Sequence, residues 1–90
     1  MDRSRPLVSV LMNCHNCSDF LQEAIDSVYF QTYENWEIIF VDNASNDKSR
    51  EIAQSYDKKL KYFYIDKKIP LGKARNKALT KAKGEYLAFL

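Results

Sequence analysis

Amide, imidazole and carboxylate side chains occur in two short polar segments, and each segment directly follows an apolar run. These residues are Asn13, His15, Asn16, Asp42 and Asn43. Amide and carboxylate groups can hydrogen-bond the edge of a base or a ribose hydroxyl, and an imidazole ring can stack on a base. The side chains therefore predict part of a nucleotide-binding site, with Asp42 as its lone free acid.

A basic residue, Arg75, lies near the start of a predicted helix and adds a group that can bind phosphate. A guanidinium holds phosphate oxygens through paired hydrogen-bond donors. An alternative interpretation of residues 42–47 is a polar loop in which Asp47 or Ser45 only caps the following helix. The residues alone leave both interpretations open.

The elements that must position these side chains are predicted by apolar runs that alternate with segments of helical spacing. Residues 38–41 form an unbroken apolar run, which is typical of a strand buried on both faces of a parallel sheet. No hairpin signal such as Asn-Gly joins neighbouring strands, so βαβ units are favoured. The predicted strands are 7–13, 36–42, 60–66 and 86–90, and the predicted helices are about 19–30, 48–56 and about 72–83.

Right-handed crossovers between these strands predict a Rossmann-like βαβαβαβ fold, an α/β three-layer sandwich with a parallel sheet in the order 3-2-1-4. Asn16 or Ser18 is expected to cap the first helix, and the apolar fourth strand is expected to be buried. Ligands of open parallel sheets bind beyond the carboxyl ends of the strands. Both polar segments lie at such ends, so we expect them to meet there.

Composition restricts the function classes further. Ninety residues make one small domain, and a net charge of +2 is too small to indicate a nucleic-acid partner. No apolar run approaches the length that spans a bilayer, and residues 1–6 lack the apolar core of a signal peptide. We therefore expect a cytoplasmic protein whose two cysteines are free thiols.

Four segments in sequence order resemble the family 2 glycosyltransferases, which have the GT-A fold. The segment Val8–Asn16 is similar to the opening strand of that family, and residues 20–33 are similar to its first helix. Val41–Asp47 resembles its acidic motif at the end of a strand. Gly72–Asn76 and Ala82–Leu90 resemble the segment that leads into its Asp-x-Asp metal motif.

The resemblance implies binding of a nucleotide sugar, usually a UDP-sugar, and transfer of the sugar with inversion to a hydroxyl of a saccharide or lipid-linked acceptor, as in polysaccharide biosynthesis. It also implies that the base and ribose are held by the residues of the two polar segments, namely Asn13, His15, Asn16, Asp42 and Asn43. Arg75 would approach the diphosphate or the base. In this sequence His15 replaces a common Tyr, and Asn43 replaces a frequent Asp.

The same resemblance implies a divalent metal, Mg²⁺ or Mn²⁺, and a catalytic carboxylate base, both supplied by residues that follow Leu90 in the family. We therefore expect residues 1–90 to be the nucleotide-binding part of a longer protein, with neither the metal site nor the catalytic residues. We also expect this piece to self-associate through its apolar last strand.

Two alternatives from other classes remain. Cys14 and Cys17 form a C-x-x-C pair between a strand and a helix, which is typical of a thiol redox module. A zinc site is less favoured, because no second pair of ligands accompanies these cysteines and His15. A non-enzymatic flavodoxin-like binding module would require more acids at the strand ends than Asp42 alone.

Overall fold

The computed structural model describes residues 5–90, which form four strands and three helices in strict alternation. The elements are β1 (Val8–Cys14), α1 (Ser18–Phe30), β2 (Trp36–Asn43), α2 (Ser49–Gln54), β3 (Leu60–Ile65), α3 (Leu71–Lys81) and β4 (Tyr86–Phe89). Every predicted element is present. The largest differences are in α2 and α3, which each end two residues earlier than predicted.

The four strands form one parallel sheet in the order β3-β2-β1-β4, which confirms the predicted topology. In β1 and β2, Val8 pairs with Trp36 and Cys14 pairs with Asp42. This register brings the carboxyl ends of the two central strands to the same level, so the loops that follow them are neighbours.

Each face of the sheet has its own core, because successive side chains of a strand point to opposite faces. On one face α1 and α2 cover a large cluster that includes Ile25, Ile38 and Phe40, all with no exposed surface. On the other face Ala74 and Ala78 of α3 pack on Leu11, Ile39 and Val41. The small alanine side chains let α3 lie close to the sheet.

The fourth strand differs from the prediction of a buried strand. Tyr86, Leu87 and Phe89 are 61%, 47% and 59% exposed, because α3 packs on β1 and β2 rather than on β4. Within residues 5–90 β4 pairs only with β1, so its other edge is open. Self-association through this strand stays a prediction. None of the helices described is long and apolar enough to cross a membrane.

A buried polar network joins the amino ends of the strands, opposite the polar loops. Glu37 is 3% exposed, and its carboxylate accepts hydrogen bonds from Ser9 Oγ at 2.6 Å, Lys83 N at 2.8 Å and Lys61 Nζ at 2.9 Å. Burial by itself raises the pKa of Glu37, but the hydrogen bonds outweigh burial and lower that pKa below its usual value. The network fixes the segment between α3 and β4 against the sheet.

Gly84 completes this network, since its N–H donates to Ser9 Oγ at 2.8 Å. A Cβ atom at Gly84 would lie 2.7 Å from the backbone oxygen of Leu7 and 2.7 Å from the backbone nitrogen of Ser9. The glycine is therefore required by a close approach of two backbones. A glycine that follows a helix commonly marks the end of that helix, but α3 already ends at Lys81.

Candidate functional site

A cavity of about 310 Å³ lies at the carboxyl ends of β1 and β2. Three of the predicted binding residues line it: Asn13, His15 and Asn43. Its remaining walls are Cys14 and residues 68–71, from the loop between β3 and α3. The structure thus brings half of the predicted set together, and Asn16, Asp42 and Arg75 are not among the lining residues.

Strand alternation explains this division. Asn13 and Asn43 have the same parity as Leu11, Ile39 and Val41, whose side chains face α3. Asp42 directly precedes Asn43 in β2, so its side chain points to the opposite face of the sheet, which α1 and α2 cover. Two adjacent polar residues at one strand end therefore enter different environments.

Asn43 connects three walls of the cavity. Its side-chain Nδ2 donates to the Ile69 backbone oxygen at 2.7 Å, and its Oδ1 accepts from the Ile69 N–H at 2.9 Å. Its backbone carbonyl accepts a hydrogen bond from His15 Nδ1 at 2.7 Å. The side chain is nearly buried, and both ends of its amide are occupied within the protein.

The His15 ring is oriented by that hydrogen bond. A backbone carbonyl can only accept, so His15 Nδ1 must carry the hydrogen. In the neutral ring Nε2 is then an acceptor, and protonation would make it a donor. The exposed imidazole therefore offers a ligand a fixed ring plane together with one polar atom.

Asn13 supplies a polar atom with no partner. Its Oδ1 is buried and accepts no hydrogen bond from residues 5–90. A buried carbonyl oxygen without a donor costs roughly 1–3 kcal/mol. A ligand N–H placed in the cavity would satisfy it, so Asn13 Oδ1 is a candidate acceptor for a base.

Asp42 is not the free acid that the sequence predicts. It has no exposed surface, and its carboxylate accepts hydrogen bonds from the Tyr62 hydroxyl and from Ser45 N at 3.0 Å. Burial and the neighbouring carboxylate raise the pKa of Tyr62 well above its usual value. Asp42 thus holds the start of the loop that follows β2.

The loops after β1 and β2 are joined through Asn16. Asn16 has a φ of 53°, in the left-handed region that Asn tolerates better than most residues. Its N–H donates to Ser45 Oγ at 2.8 Å, and its Oδ1 accepts from Asn46 N at 2.8 Å. Asn16 therefore joins the two loops by hydrogen bonds. The prediction that it caps α1 is wrong.

Asp47 caps both neighbouring helices. Its carboxylate accepts from Ser49 N at 2.9 Å in α2 and from Ser18 N at 3.1 Å in α1. The hydrogen bond from Ser49 is the main reason that the pKa of Asp47 lies far below its usual value. The capping interpretation of residues 42–47 is thus correct for α2. For α1 the cap comes from a residue 29 positions away in the sequence.

Arg75 lies on the exposed side of α3. Its guanidinium carbon is 5.7 Å from the ring centroid of Phe89 in β4, within the range of a cation–π contact. The predicted contact of Arg75 with phosphate is therefore not prearranged in this structure and stays a prediction.

The prediction of free thiols is wrong, because Cys14 and Cys17 form a disulfide. The turn between β1 and α1 brings their Cα atoms to 5.9 Å, a distance at which disulfides form. Both cysteines are buried, and Ser49 Oγ lies 3.7 Å from the sulfur of Cys17.

The residues described do not form a metal site. Within residues 5–90 no group of three His, Cys, Asp or Glu side chains could hold a metal ion. Asp42 at the end of β2 and Asp47 in the β2–α2 loop are hydrogen-bonded as described above. A divalent metal therefore has no set of ligands in this part of the chain.

Sequence reasoning missed the contribution of the β3–α3 loop. Lys68, Ile69, Pro70 and Leu71 form one wall of the cavity, but the sequence shows only an ordinary loop before a helix. Pro70 is the one local signal, since it stands directly before α3.

The fold is an α/β domain with a parallel sheet and a cavity at the carboxyl ends of its central strands, and comparison with known proteins identifies its family. The model of glycosyl transferase family 2 matches residues 9–90. The chain therefore belongs to this family, which confirms the resemblance found in the sequence.

Curated relatives are similar along nearly the whole chain. A Bacillus subtilis (strain 168) protein named "Putative teichuronic acid biosynthesis glycosyltransferase TuaG" is 39% identical over 93 residues, which cover 100% of this chain and 37% of the relative. An uncharacterized glycosyltransferase from Haemophilus influenzae is 39% identical over 88 residues, covering 94% of this chain and 35% of the relative. The chain thus spans less than two fifths of the length of either relative.

Solved structures share the fold. S. aureus TarS 1-349 in complex with UDP-GlcNAc superimposes with a TM-score of 0.87 at 30% identity, covering 92% of this chain and 25% of TarS. Mannosyltransferase PcManGT from Pyrobaculum calidifontis, in complex with GDP-Man and Mn²⁺, superimposes with a TM-score of 0.82 at 30% identity over 92% of this chain and 26% of PcManGT. This likeness supports the GT-A fold that the sequence resemblance implies, and it gives no support to the redox module.

Proposed function

We propose that this chain supplies the nucleotide-binding half of an inverting glycosyltransferase. The donor is a nucleotide sugar, with UDP as its nucleotide, and the acceptor is a hydroxyl of a saccharide or lipid-linked saccharide. Family membership supports the reaction class. The UDP-GlcNAc complex of TarS supports the donor, and the teichuronic acid relative supports a role in polysaccharide biosynthesis.

The observation that carries the proposal is Asn13 Oδ1, which has no hydrogen-bond partner within residues 5–90, on a residue that lines the cavity together with His15. A volume of about 310 Å³ is at the lower end of the range for small-molecule sites. In the proposed complex Asn13 Oδ1 accepts an N–H of the base, and the His15 ring stacks on the base or packs against the ribose.

The other predicted residues act at different points of the same site. Asn16 and Asp42 hold the loops after β1 and β2 in place. Arg75 leaves Phe89 and binds the diphosphate, because a guanidinium gains more from paired bonds to phosphate than from an exposed cation–π contact.

A divalent metal, Mg²⁺ or Mn²⁺, belongs to the proposed function of the longer protein, and PcManGT was solved with Mn²⁺. Residues 5–90 do not supply its ligands, so we assign neither metal ligands nor catalytic residues to them. The proposed compartment is the cytoplasm or the cytoplasmic face of a membrane.

The proposal is tested by NMR titration of the ¹⁵N-labelled chain with UDP. We expect weak, saturable binding, with the largest shift changes at Asn13, His15 and Ile69 and only small changes around Glu37 at the opposite end of the sheet. Uridine without phosphates should shift the same cavity amides. Shift changes of equal size at both ends of the sheet, or none at saturating UDP, would contradict the proposal.

A further inference from the structure

We infer that Asn43 is a positioning residue, which holds the β3–α3 loop against the site and does not itself select the base. The inference rests on the proposed function. It changes the role that the sequence suggests for Asn43, which stands where Asp is frequent in the family and was expected to contact the base.

Both ends of the Asn43 amide are used within the protein. Asn43 Nδ2 donates to the Ile69 carbonyl at 2.7 Å, and Oδ1 accepts from the Ile69 N–H at 2.9 Å. The residue is 6% exposed. The amide keeps one further N–H and one further lone pair, but at this burial little of either is open to a ligand.

The chemistry of this contact favours Asn over Asp. A pair of backbone N–H and C=O groups on one residue requires a partner that donates with one atom and accepts with the other. An amide does both, whereas an ionised carboxylate only accepts. Asn therefore fits this contact, and Asp would fit only half of it at neutral pH.

Asn43 also lies between two walls of the cavity. Its backbone carbonyl orients His15 from the β1–α1 loop, and its side chain fixes Ile69 from the β3–α3 loop. The two walls thus meet through this one residue, while Asn13 Oδ1 is buried and has no hydrogen-bond partner within residues 5–90. Base preference should accordingly follow Asn13 and not Asn43.

The substitution Asn43→Asp tests the inference through a pH profile. At pH 7 the introduced carboxylate cannot donate to Ile69, and we expect UDP to bind about tenfold more weakly than to the unsubstituted chain. Below its own pKa the introduced carboxyl regains an O–H donor, so the affinity ratio of variant to unsubstituted chain should return to within about twofold. Because a variant that is only destabilised would also recover in acid, the affinities are compared at pH values where urea unfolding shows the variant to be folded.

Base preference provides the second measurement. If Asn43 only positions the loop, Asn43→Asp lowers the affinities for UDP, CDP and GDP by the same factor. The control Gln54→Glu makes the same amide-to-carboxylate change at an exposed position of α2 and should leave every affinity unchanged. A changed order of preference in Asn43→Asp, or an affinity ratio that does not recover in acid, would overturn the inference.

A measurement without substitution covers the case in which the variant does not fold. The scalar coupling through the hydrogen bond between the Ile69 amide nitrogen and the Asn43 side-chain carbonyl should be present in the free chain and persist at saturating UDP. Loss of this coupling on binding would overturn only the inference. Failure of UDP to bind the unsubstituted chain would overturn the proposed function and the inference with it.

Discussion

Replacement of Glu37 by Gln tests the buried network at the amino ends of the strands. Gln can still accept from Ser9 and the Lys83 N–H with its carbonyl oxygen, but its NH₂ group then faces Lys61. The lost partner is a lysine whose side chain is 40% exposed, so the ion pair alone contributes at most about 1 kcal/mol. The bonds from Ser9 and from the Lys83 N–H also change from charge-assisted to neutral hydrogen bonds. The expected loss in the free energy of unfolding is therefore about 1–2 kcal/mol.

The pH dependence of stability follows from the lowered pKa of Glu37. In the unfolded chain a Glu has a pKa near 4.3, and in the folded chain this pKa is lower. The stabilisation by the ionised group is therefore complete above about pH 4.3 and is lost as the pH falls through the folded pKa. Glu37→Gln should remove this part of the acid sensitivity.

The assay is urea unfolding followed through the fluorescence of Trp36, which is buried and is the only tryptophan. The control is Glu23→Gln on the exposed surface of α1, which should change stability by less than about 0.5 kcal/mol. A Glu37→Gln variant as stable as the unsubstituted chain, or with the same acid sensitivity, would refute this account of the network.

Two further predictions concern backbone contacts and the disulfide. Gly84→Ala should lower the free energy of unfolding by about 1–3 kcal/mol, since the added Cβ meets two backbone atoms at 2.7 Å; unchanged urea unfolding would contradict this. Reduction of the Cys14–Cys17 disulfide by dithiothreitol should cost at most about 2 kcal/mol, because the bond closes a loop with a sequence separation of 3. UDP affinity should change less than about twofold on reduction, since the hydrogen bond from Asn16 still holds the turn; a tenfold loss in a titration would show that the disulfide is needed for binding.

The sheet and its order could be predicted because they depend on local patterns. The run of residues 38–41 predicts a buried strand, and right-handed crossovers then fix the order. The exposure of β4 could not be predicted, because an apolar run of five residues shows what could be buried and not what covers it.

The site was predicted only in part, because its geometry depends on contacts between distant residues. The Asn43–Ile69 contact joins positions 26 apart in the sequence, and no local pattern indicates it. Asp42 and Asn43 look equally available in the sequence. In the structure Asp42 accepts a hydrogen bond from the Tyr62 hydroxyl, and Asn43 accepts one from the backbone N–H of Ile69. Glu37 likewise gave no signal, since its partners Ser9 and Lys83 lie 28 and 46 positions away.

The central claim is that the cavity between the β1–α1 and β3–α3 loops holds the base of a nucleotide sugar. Intermolecular nuclear Overhauser effects between UDP and the labelled chain test it most directly. We predict effects from the uracil H5 and H6 protons to the His15 ring and to the Ile69 side chain. Effects that instead involve the groove of Phe63 and Lys77 beside β3, with none to His15 or Ile69, would contradict the claim.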